Sequence, residues 1–545
     1  MDWKIPTPAE VYDESYLTWL RETGFWAGKP IWELVESWAA DDPDFVVLID
    51  DTNSITVGEI RESAHRVAGA LAESGVVAGD RILVQLPNVV EAAVVFYAIA
   101  RLGAVMVPVQ VVMRNYEVES LLRRTEAVAI ICVDEFNGFD HGAMARTMVD
   151  LVPSLQHLFV LGAKREGVRS FAELLDGPVF DGPVPSADDP IVVVFTSGTT
   201  SLPKGCVHTS NTYMNHGSCT AVLVGIEPGD VFFMPSPVMH NTGLGLGILM
   251  PFIFRLRSVL QAKWDAPKAL ELIGRHRISM LAGAAPFATM LLRAYDPEKH
   301  DVSSFRAMAF GGAPVPIGII KELNATFDCK SLALYGSTEG GTVTGTRMDD
   351  AMERAATTDG RANEGVDLII SDDHGDAVAT GEEGEIRFST PARFLCYWQD
   401  NDLTAKVLDN NGRFCSGDLG RMDSDGYIRV TGRVSDMIIR GGMNISALEV
   451  ENILRQHPAV VDVALVSMPD ERLGEKACAF VVSRDDSLDV AEFSRFLTGL
   501  GVAKNKYPER VVLVDQLPLN PTGKVLKTEL RFRIREMLAE EAESA

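Results

Sequence analysis

The chain has 545 residues, a formal net charge of −26 and a pI of about 4.8. That length calls for two or more domains rather than one core, and the acidic surplus argues against a nucleic-acid or anionic-membrane surface. Its seven cysteines are scattered, odd in number and free of CxxC pairs, which fits a reduced, cytoplasmic protein and neither a disulfide framework nor a zinc site.

In chain order, Met1-Asp2-Trp3-Lys4-Ile5-Pro6 carries no signal-peptide pattern. Residues 31–160 alternate strands and helices. Val46–Asp50 reads as a strand, and Thr56–Ser74 as an amphipathic helix entered through the capping-box spacing of Thr56 and Glu59. Asp80–Leu86 is a strand, Glu91–Leu102 a helix, and Ala104–Pro108 and Ala127–Val133 are buried strands. The apolar stretch 89–113 is broken by Glu91 and Arg101, so it reads as helix and strand rather than a membrane span. The rhythm returns at 266–275, 280–282, 286–294, 307–310 and 317–327, and repeated βα units predict a largely parallel sheet covered by helices. From about 345 the texture turns to short strands such as 384–388 and 426–430, a β-rich subdomain. A compact α/β unit follows a hinge near 433–436, with helices at 447–456 and 490–497 and strands at 460–466 and 477–482. The acidic tail 539–545 is expected to fray, and no internal repeat is present.

The stretch most loaded with chemistry runs from the apolar strand Ile191–Phe195 into Thr196-Ser197-Gly198-Thr199-Thr200-Ser201-Leu202-Pro203-Lys204. Glycines let backbone N–H groups approach a ligand, hydroxyls add donors, and one lysine stands behind a proline: a concavity suited to a polyphosphate. It is not a Walker A loop, which ends in Gly-Lys-Ser/Thr; the plain alternative is a surface loop. Gly311-Gly312-Ala313-Pro314 follows a strand, as a nucleotide-contacting turn or simply a tight βα connection. Tyr335-Gly336-Ser337-Thr338-Glu339-Gly340-Gly341 combines an aromatic for stacking, a hydroxyl for phosphate and a carboxylate suited to Mg²⁺. Asp418 sits on a turn where it could accept ribose hydroxyls. The run 432–445 follows, and Lys524 stands on a late glycine turn, where a solvated surface lysine is the bland reading.

Taken in order, these segments closely resemble the adenylate-forming superfamily of acyl- and aryl-CoA synthetases, peptide-synthetase adenylation domains and firefly-type luciferases, over about residues 30 to 530. The resemblance implies an α/β fold: a large N-terminal domain of βα-layered sheets plus the β-rich subdomain, 1–433, and a small mobile lid domain, 434–545. It also implies a two-step reaction. A carboxylate attacks the α-phosphate of Mg·ATP, giving an acyl-adenylate and pyrophosphate; a thiol, usually that of CoA, then expels AMP.

By that resemblance Thr196, Ser197, Gly198, Thr199, Thr200 and Lys204 clamp the β- and γ-phosphates, Thr338 meets the α-phosphate and Glu339 holds Mg²⁺. Gly311, Gly312, Ala313, Pro314, Tyr335 and Gly336 frame the adenine, while Asp418, helped by Arg433, takes the ribose. Lys524 bridges the attacking carboxylate and the phosphate, where a cation offsets repulsion between two anions. Rotation of the small domain exchanges Lys524 for Arg440, Gly441 and Gly442, whose glycines leave room for pantetheine. The hinge position, usually aspartate or lysine, is Ser435 here, and Asp436 next door is placed to share its role. His240, Asn241, Thr242, Gly340 and Gly341 fall where the family builds its acyl pocket, and His240 reads there as a wall rather than a proton-transfer group. An alicyclic, aryl, medium- or branched-chain acid fits, hydroxylated acids included, and no charged residue is offered for an amino acid's ammonium. Thr23-Gly24-Phe25-Trp26 and Gln85-Leu86-Pro87-Asn88 resemble segments of aryl- and alicyclic-carboxylate ligases. The partners implied are a small carboxylic acid, ATP and CoA, without nucleic acid or membrane span; a homodimer is compatible. Two alternatives stay open, transfer to a carrier-protein thiol and a nucleotide-binding scaffold with a dead site.

Overall fold

The computed structural model describes residues 3–162, 168–196, 203–312, 315–440, 443–470, 472–519 and 524–544. It divides into two compact units, residues 1–367 with 388–414, and residues 368–387 with 415–545.

The first unit is built on two sheets. An eight-stranded sheet has the order Cys396–Tyr397, Lys204–Thr209, Pro190–Thr196, Val105–Pro108, Arg81–Gln85, Ala129–Val133, His157–Leu161 and Arg169–Ser170. The four strands from Val105–Pro108 to His157–Leu161 run parallel, as βα repetition predicts. A nine-stranded sheet runs from Arg361–Ala362 through Gly341–Gly345, Lys330–Ser337, Ala307–Gly311, Met280–Gly283, Val231–Met234, Arg257–Leu260 and Val46–Ile49 to Ser54–Thr56.

Side-chain alternation splits each strand between two cores. Ile82 and Val84 join an inner cluster with Phe232, Met234 and Leu332 of the other sheet, whereas Leu83 faces outward into a cluster with Val107, Ile130 and the helix residues Leu121 and Met148. Val231 and Phe233 face a third cluster, under the helices Ala266–His276, Ala285–Ala294 and Ile317–Phe327. Between the sheets lie Val57–Glu73, capped by Thr56 with Glu59 in a capping box, and Glu91–Leu102, apolar all round and buried from Ala92 onward. Arg101 of that buried helix avoids an uncompensated charge by donating to the carbonyls of Gly182 at 2.8 Å and Pro183 at 3.1 Å. Among the described residues no helix is long and apolar enough to cross a membrane.

The second unit holds most of a four-stranded sheet, Asp367–Ser371, Gly384–Ser389, Phe414–Met422 and Ile428–Arg433, of which Asp367, Phe388, Ser389 and Phe414 are numbered with the first unit. It also holds a five-stranded sheet of Met443–Ser446, Met437–Arg440, Gly474–Ser483, Val460–Asp470 and Arg510–Leu513. Val463 and Leu465 face the helices Ala447–Leu454 and Val490–Gly499, while Ala464 and Val466 face Lys527–Ser544. The tail expected to fray is helical as far as Ser544: the Arg510 guanidinium meets both carboxylate oxygens of Glu541, at 3.0 and 2.5 Å, and fastens the last turns to the sheet.

Candidate active site

In the first unit, Pro190–Thr196 and Lys204–Thr209 form an antiparallel hairpin with Thr196 opposite Lys204. Ser197, Gly198, Thr199 and Thr200 of the expected phosphate loop lie outside the described residues, as do Ala313 and Pro314 of the second turn. Strand alternation sends Lys204, Cys206 and His208 to one face. That face looks onto the loop of a second hairpin, where Lys330–Ser337 returns through Thr338, Glu339 and Gly340 into Gly341–Gly345. Gly336 is required there, because a Cβ would stand 2.0 Å from the Gly341 carbonyl oxygen.

Four hydrogen bonds hold the loop from two sides. The Phe394 N–H donates to the Glu339 carbonyl at 2.7 Å, Thr390 Oγ1 to the Gly340 carbonyl at 3.2 Å, and the Tyr397 hydroxyl to Glu339 Oε1 at 2.8 Å. From the other side His208 Nε2 donates to the Thr338 carbonyl at 2.9 Å. A carbonyl only accepts, so the proton sits on Nε2 and Nδ1 accepts from Thr212 Oγ1 at 3.2 Å. The strap 390–398 is itself held by the N-terminal segment, Trp26 Nε1 donating to the Pro391 carbonyl at 2.9 Å and the Tyr12 hydroxyl to that of Arg393.

Lys204 Nζ lies 5.5 Å from the centre of the Tyr397 ring, over the phenol that holds Glu339. Burial, aided by the Glu339 charge, pushes the Tyr397 phenol far above its ordinary range, so it stays a donor. The Cys206 thiol is also driven well up, chiefly by burial, which removes it as a nucleophile. The loop therefore presents a fixed carboxylate beside a lysine. No group of three or more His, Cys, Asp or Glu among the described residues could hold a metal ion. A magnesium ion fits Glu339 only as magnesium usually binds, through one carboxylate with substrate phosphates and water.

Beside this lies the segment 234–242. The buried Asn88 amide clamps it, Nδ2 donating to the Ser236 carbonyl at 2.9 Å and Oδ1 accepting from Val238 N–H at 2.8 Å. This gives the Gln85-Leu86-Pro87-Asn88 segment a physical role. His240, Asn241 and Thr242 are half-buried and lead into a π-helix, Gly243–Leu249, a form common at functional sites. Asn241 Nδ2 is 3.3 Å from His216 Nδ1, on the helix Ser210–Leu223. Gly341, at φ +69°, backs against the same imidazole: a Cβ there would lie 3.4 Å from His216 Nδ1 and 3.0 Å from Ala392 Cβ. Gly340 has a packing reason instead, since a Cβ would stand 2.3 Å from Phe388 Cε2.

His208 and His216 meet edge to face at 4.6 Å. Burial outweighs the nearby Ala392 carbonyl and takes His216 down to about 3; it holds His208 well below the ordinary imidazole range, so both rings are neutral. Neither histidine, nor Tyr397, lies in a motif assigned above. For His216 the signal available was the polar segment 210–223, which shows little helical periodicity and is nonetheless mostly buried.

Gly311 ends its strand, and Gly312 follows at φ +89°. Tyr335 and Gly336 end the strand that feeds the loop.

The remaining candidates belong to the second unit. Asp418 is buried opposite Arg433 in the strand pair and takes Arg433 Nε at 2.8 Å. Ser435 lies in the 3₁₀ turn Val434–Asp436. Arg440, expected to meet phosphates, is engaged by Glu509 at 2.5 Å, so such a role requires it to share or leave that carboxylate. Gly441 and Gly442 lie outside the described residues, and Lys524 is exposed beside the bridge between Leu519 and Val525.

Residues 35–398 match the AMP-binding enzyme family, and residues 449–524 match the AMP-binding enzyme C-terminal domain. Over 530 residues the chain is 33% identical to the medium-chain fatty-acid–CoA ligase of Escherichia coli, covering 96% of this chain and 93% of that one. It is 32% identical to the 2,3-dihydroxybenzoate-AMP ligase of Bacillus subtilis over 520 residues, covering 95% and 96%. The crystal structure of ATP-bound MatB from Rhodopseudomonas palustris shares the fold at a TM-score of 0.84 and 27% identity, over 94% of this chain and 99% of that one. With the family match over most of the chain and relatives alike along nearly their whole length, this protein belongs to the adenylate-forming, AMP-binding enzyme family.

Proposed function

We propose that this enzyme is an ATP-dependent carboxylate–CoA ligase, converting an alicyclic, aryl, medium- or branched-chain acid through its acyl-adenylate to the CoA thioester, with release of AMP and pyrophosphate. The observation that carries the adenylating half is the loop 338–340, clamped by His208, Thr390, Phe394 and Tyr397, with Lys204 on the facing strand. A fixed carboxylate with a lysine beside it is what phosphoryl transfer needs, because the chemistry is mostly positioning and charge neutralisation. In this reading Lys204 and the loop from Thr196 grip the outer phosphates, Thr338 meets the α-phosphate, and Mg·ATP docks its ion on Glu339, which offsets phosphate charge. Asp418 and Arg433 take the ribose, Lys524 brings the attacking carboxylate to the phosphate, and the segment 240–242 lines the acyl group. The CoA half rests on likeness to the fatty-acid–CoA ligase of Escherichia coli. Likeness to an aryl-acid AMP ligase favours a second reading, in which the acyl group passes to a carrier-protein thiol.

A panel of carboxylates assayed for AMP release with and without CoA separates them. CoA-dependent AMP release by the lone protein supports the ligase. ATP–pyrophosphate exchange without CoA-dependent turnover leaves the carrier reading, and no exchange with any acid ends both.

A further inference from the structure

Residues 391–395 of the strap 390–398 form neither helix nor strand and are buried, so their carbonyls must find donors outside regular structure. The N-terminal segment supplies them. The Tyr12 hydroxyl donates to the Arg393 carbonyl and lies 3.2 Å from that of Phe394, and Trp26 Nε1 donates to that of Pro391 at 2.9 Å. Tyr12 and Trp26 pack edge to face with ring centres 5.2 Å apart, so each fixes the other. Arg393 is 2% exposed, its guanidinium lies 4.0 Å from the centre of the Tyr12 ring, and its Nε and Nη1 have no hydrogen-bond partner among the described residues. The face of that ring is the contact that offsets a buried charge, and Tyr12 cannot swing away without leaving it uncompensated.

The same strap bonds toward the site. The Phe394 N–H and the Tyr397 hydroxyl hold Glu339, and Thr390 holds Gly340. The Leu395 N–H donates to the Val207 carbonyl at 2.8 Å and the Trp398 N–H to that of Gly205 at 2.7 Å, on the hairpin that carries Lys204. One short buried segment thus ties the loop of Glu339 to the strand of Lys204, and residues 12 and 26 fasten it from outside. Trp3 extends the contact: its Nε1 donates to Asn401 Oδ1 at 3.2 Å and its ring meets Trp398 at 4.9 Å. These N-terminal residues precede the stretch 35–398 that matches the family, and Trp26 belongs to the segment Thr23–Trp26, which the reaction leaves without a role.

We propose that the N-terminal segment 3–26 is a collar that positions the site for Mg·ATP, with Tyr12 and Trp26 as positioning residues that fix the strap and, through it, Glu339 beside Lys204. Between Tyr12 and Glu339 stands a single residue, Phe394, whose carbonyl faces the phenol and whose N–H holds the loop. Groups that hold a metal ligand in place set the affinity for the metal, so a loosened strap weakens magnesium binding before it unfolds the protein. The inference rests on Glu339 taking the ion of Mg·ATP, as proposed above.

The test uses the full-length protein and two readouts. One is the magnesium dependence of ATP–pyrophosphate exchange with hexanoate, benzoate and cyclohexanecarboxylate; the other is hydrogen–deuterium exchange of the backbone amides of 337–341, which needs no substrate. Tyr12→Phe removes the hydroxyl and keeps the ring against Arg393. It should raise the magnesium concentration for half-maximal exchange about fivefold, the worth of one hydrogen bond, with KM for the acid unchanged. Deuterium uptake at 337–341 should quicken by a similar factor. Trp26→Phe should give the same pattern, and it carries the test should Tyr12→Phe fail to fold. A merely structural segment would lower the melting temperature and the yield of active enzyme while leaving both readouts unmoved, and that result in a folded variant overturns the collar. No exchange with any acid in the wild type ends the adenylating reading and the magnesium prediction with it, while deuterium uptake at 337–341 still decides whether the collar holds the loop.

Discussion

At the scale of single residues, the Tyr397 hydroxyl is the contact most open to test. It donates to Glu339 Oε1 at 2.8 Å, and its phenol is too buried to ionise. Tyr397→Phe keeps the ring beneath Lys204 and removes only that donor. A hydrogen bond to a charged group contributes about 1.5–3 kcal/mol, so kcat/KM for Mg·ATP exchange should fall roughly ten- to hundredfold with little change in melting temperature. The magnesium concentration for half-maximal exchange should rise; an unchanged magnesium dependence would refute positioning of Glu339 by this phenol. His208 does the matching work on the Thr338 carbonyl. Residue type alone marked Lys204, Thr338 and Glu339, because phosphate and magnesium chemistry demands a lysine, a hydroxyl and a carboxylate. Nothing local marks Tyr397 or His208, which matter only because a strap 390–398 and a strand 204–209 converge on one loop.

At the scale of elements, the segment 234–242 depends on Asn88, far away in the chain, through bonds at both ends of one buried amide. Asn88→Ala should raise KM for the carboxylic acid more than KM for ATP, with a stability loss of about 1–3 kcal/mol from the groups left unpaired. Equal rises in both constants would mean a general loosening instead. In the second unit, Asp436 receives Arg531 at 2.5 Å and lies 3.8 Å from Lys527, which also pairs with the buried Glu451 at 2.7 Å. Those cations sit on the helix Lys527–Ser544, and the Arg531 guanidinium also donates to the Ser435 carbonyl at 3.3 Å, so Ser435 and Asp436 are both fastened to it. Most helices and strands lie within a residue or two of where periodicity puts them, Glu91–Leu102 and Ile317–Phe327 on the residue. The helix Ser210–Leu223 and the π-helix were not legible. One buries polar side chains that form a network only after folding, and the other is glycine-rich, with no periodic face to read.

At the scale of the molecule, two properties follow. Lys524→Ala should slow exchange by about a hundredfold or more, the scale of removing one electrostatic stabiliser, while thioester formation from supplied acyl-adenylate continues. Exchange intact in that variant would end the proposed role. The second property is acid lability. Burial holds His141 at about 4 and His216 at about 3, both below the unfolded value near 6.5. The unfolded chain therefore binds protons that the folded one refuses, so this stabilisation is complete above about pH 6.5 and is lost as pH falls toward the folded values. Each such histidine contributes a slope of about 1.4 kcal/mol per pH unit in that window. Urea midpoints at pH 7, 6 and 5 should fall steeply, and His141→Gln should flatten the slope by about one proton; an unaltered slope would show that His141 is charged in the folded state.

What the sequence determined by itself was everything set by local rules: βα alternation, the capping box at Thr56, and the residue types that phosphate chemistry requires, at positions 196–204, 338–339, 418 and 524. What only the tertiary structure decided was convergence. The loop 338–340 is held by side chains from positions 208, 390 and 397, the segment 234–242 by position 88, and His216, neutral beside His208, lies in a helix whose composition would suit a surface. Hydrogen bonds between distant segments depend on which strands pair and which helices pack, and a buried imidazole loses its charge only once the fold has excluded water.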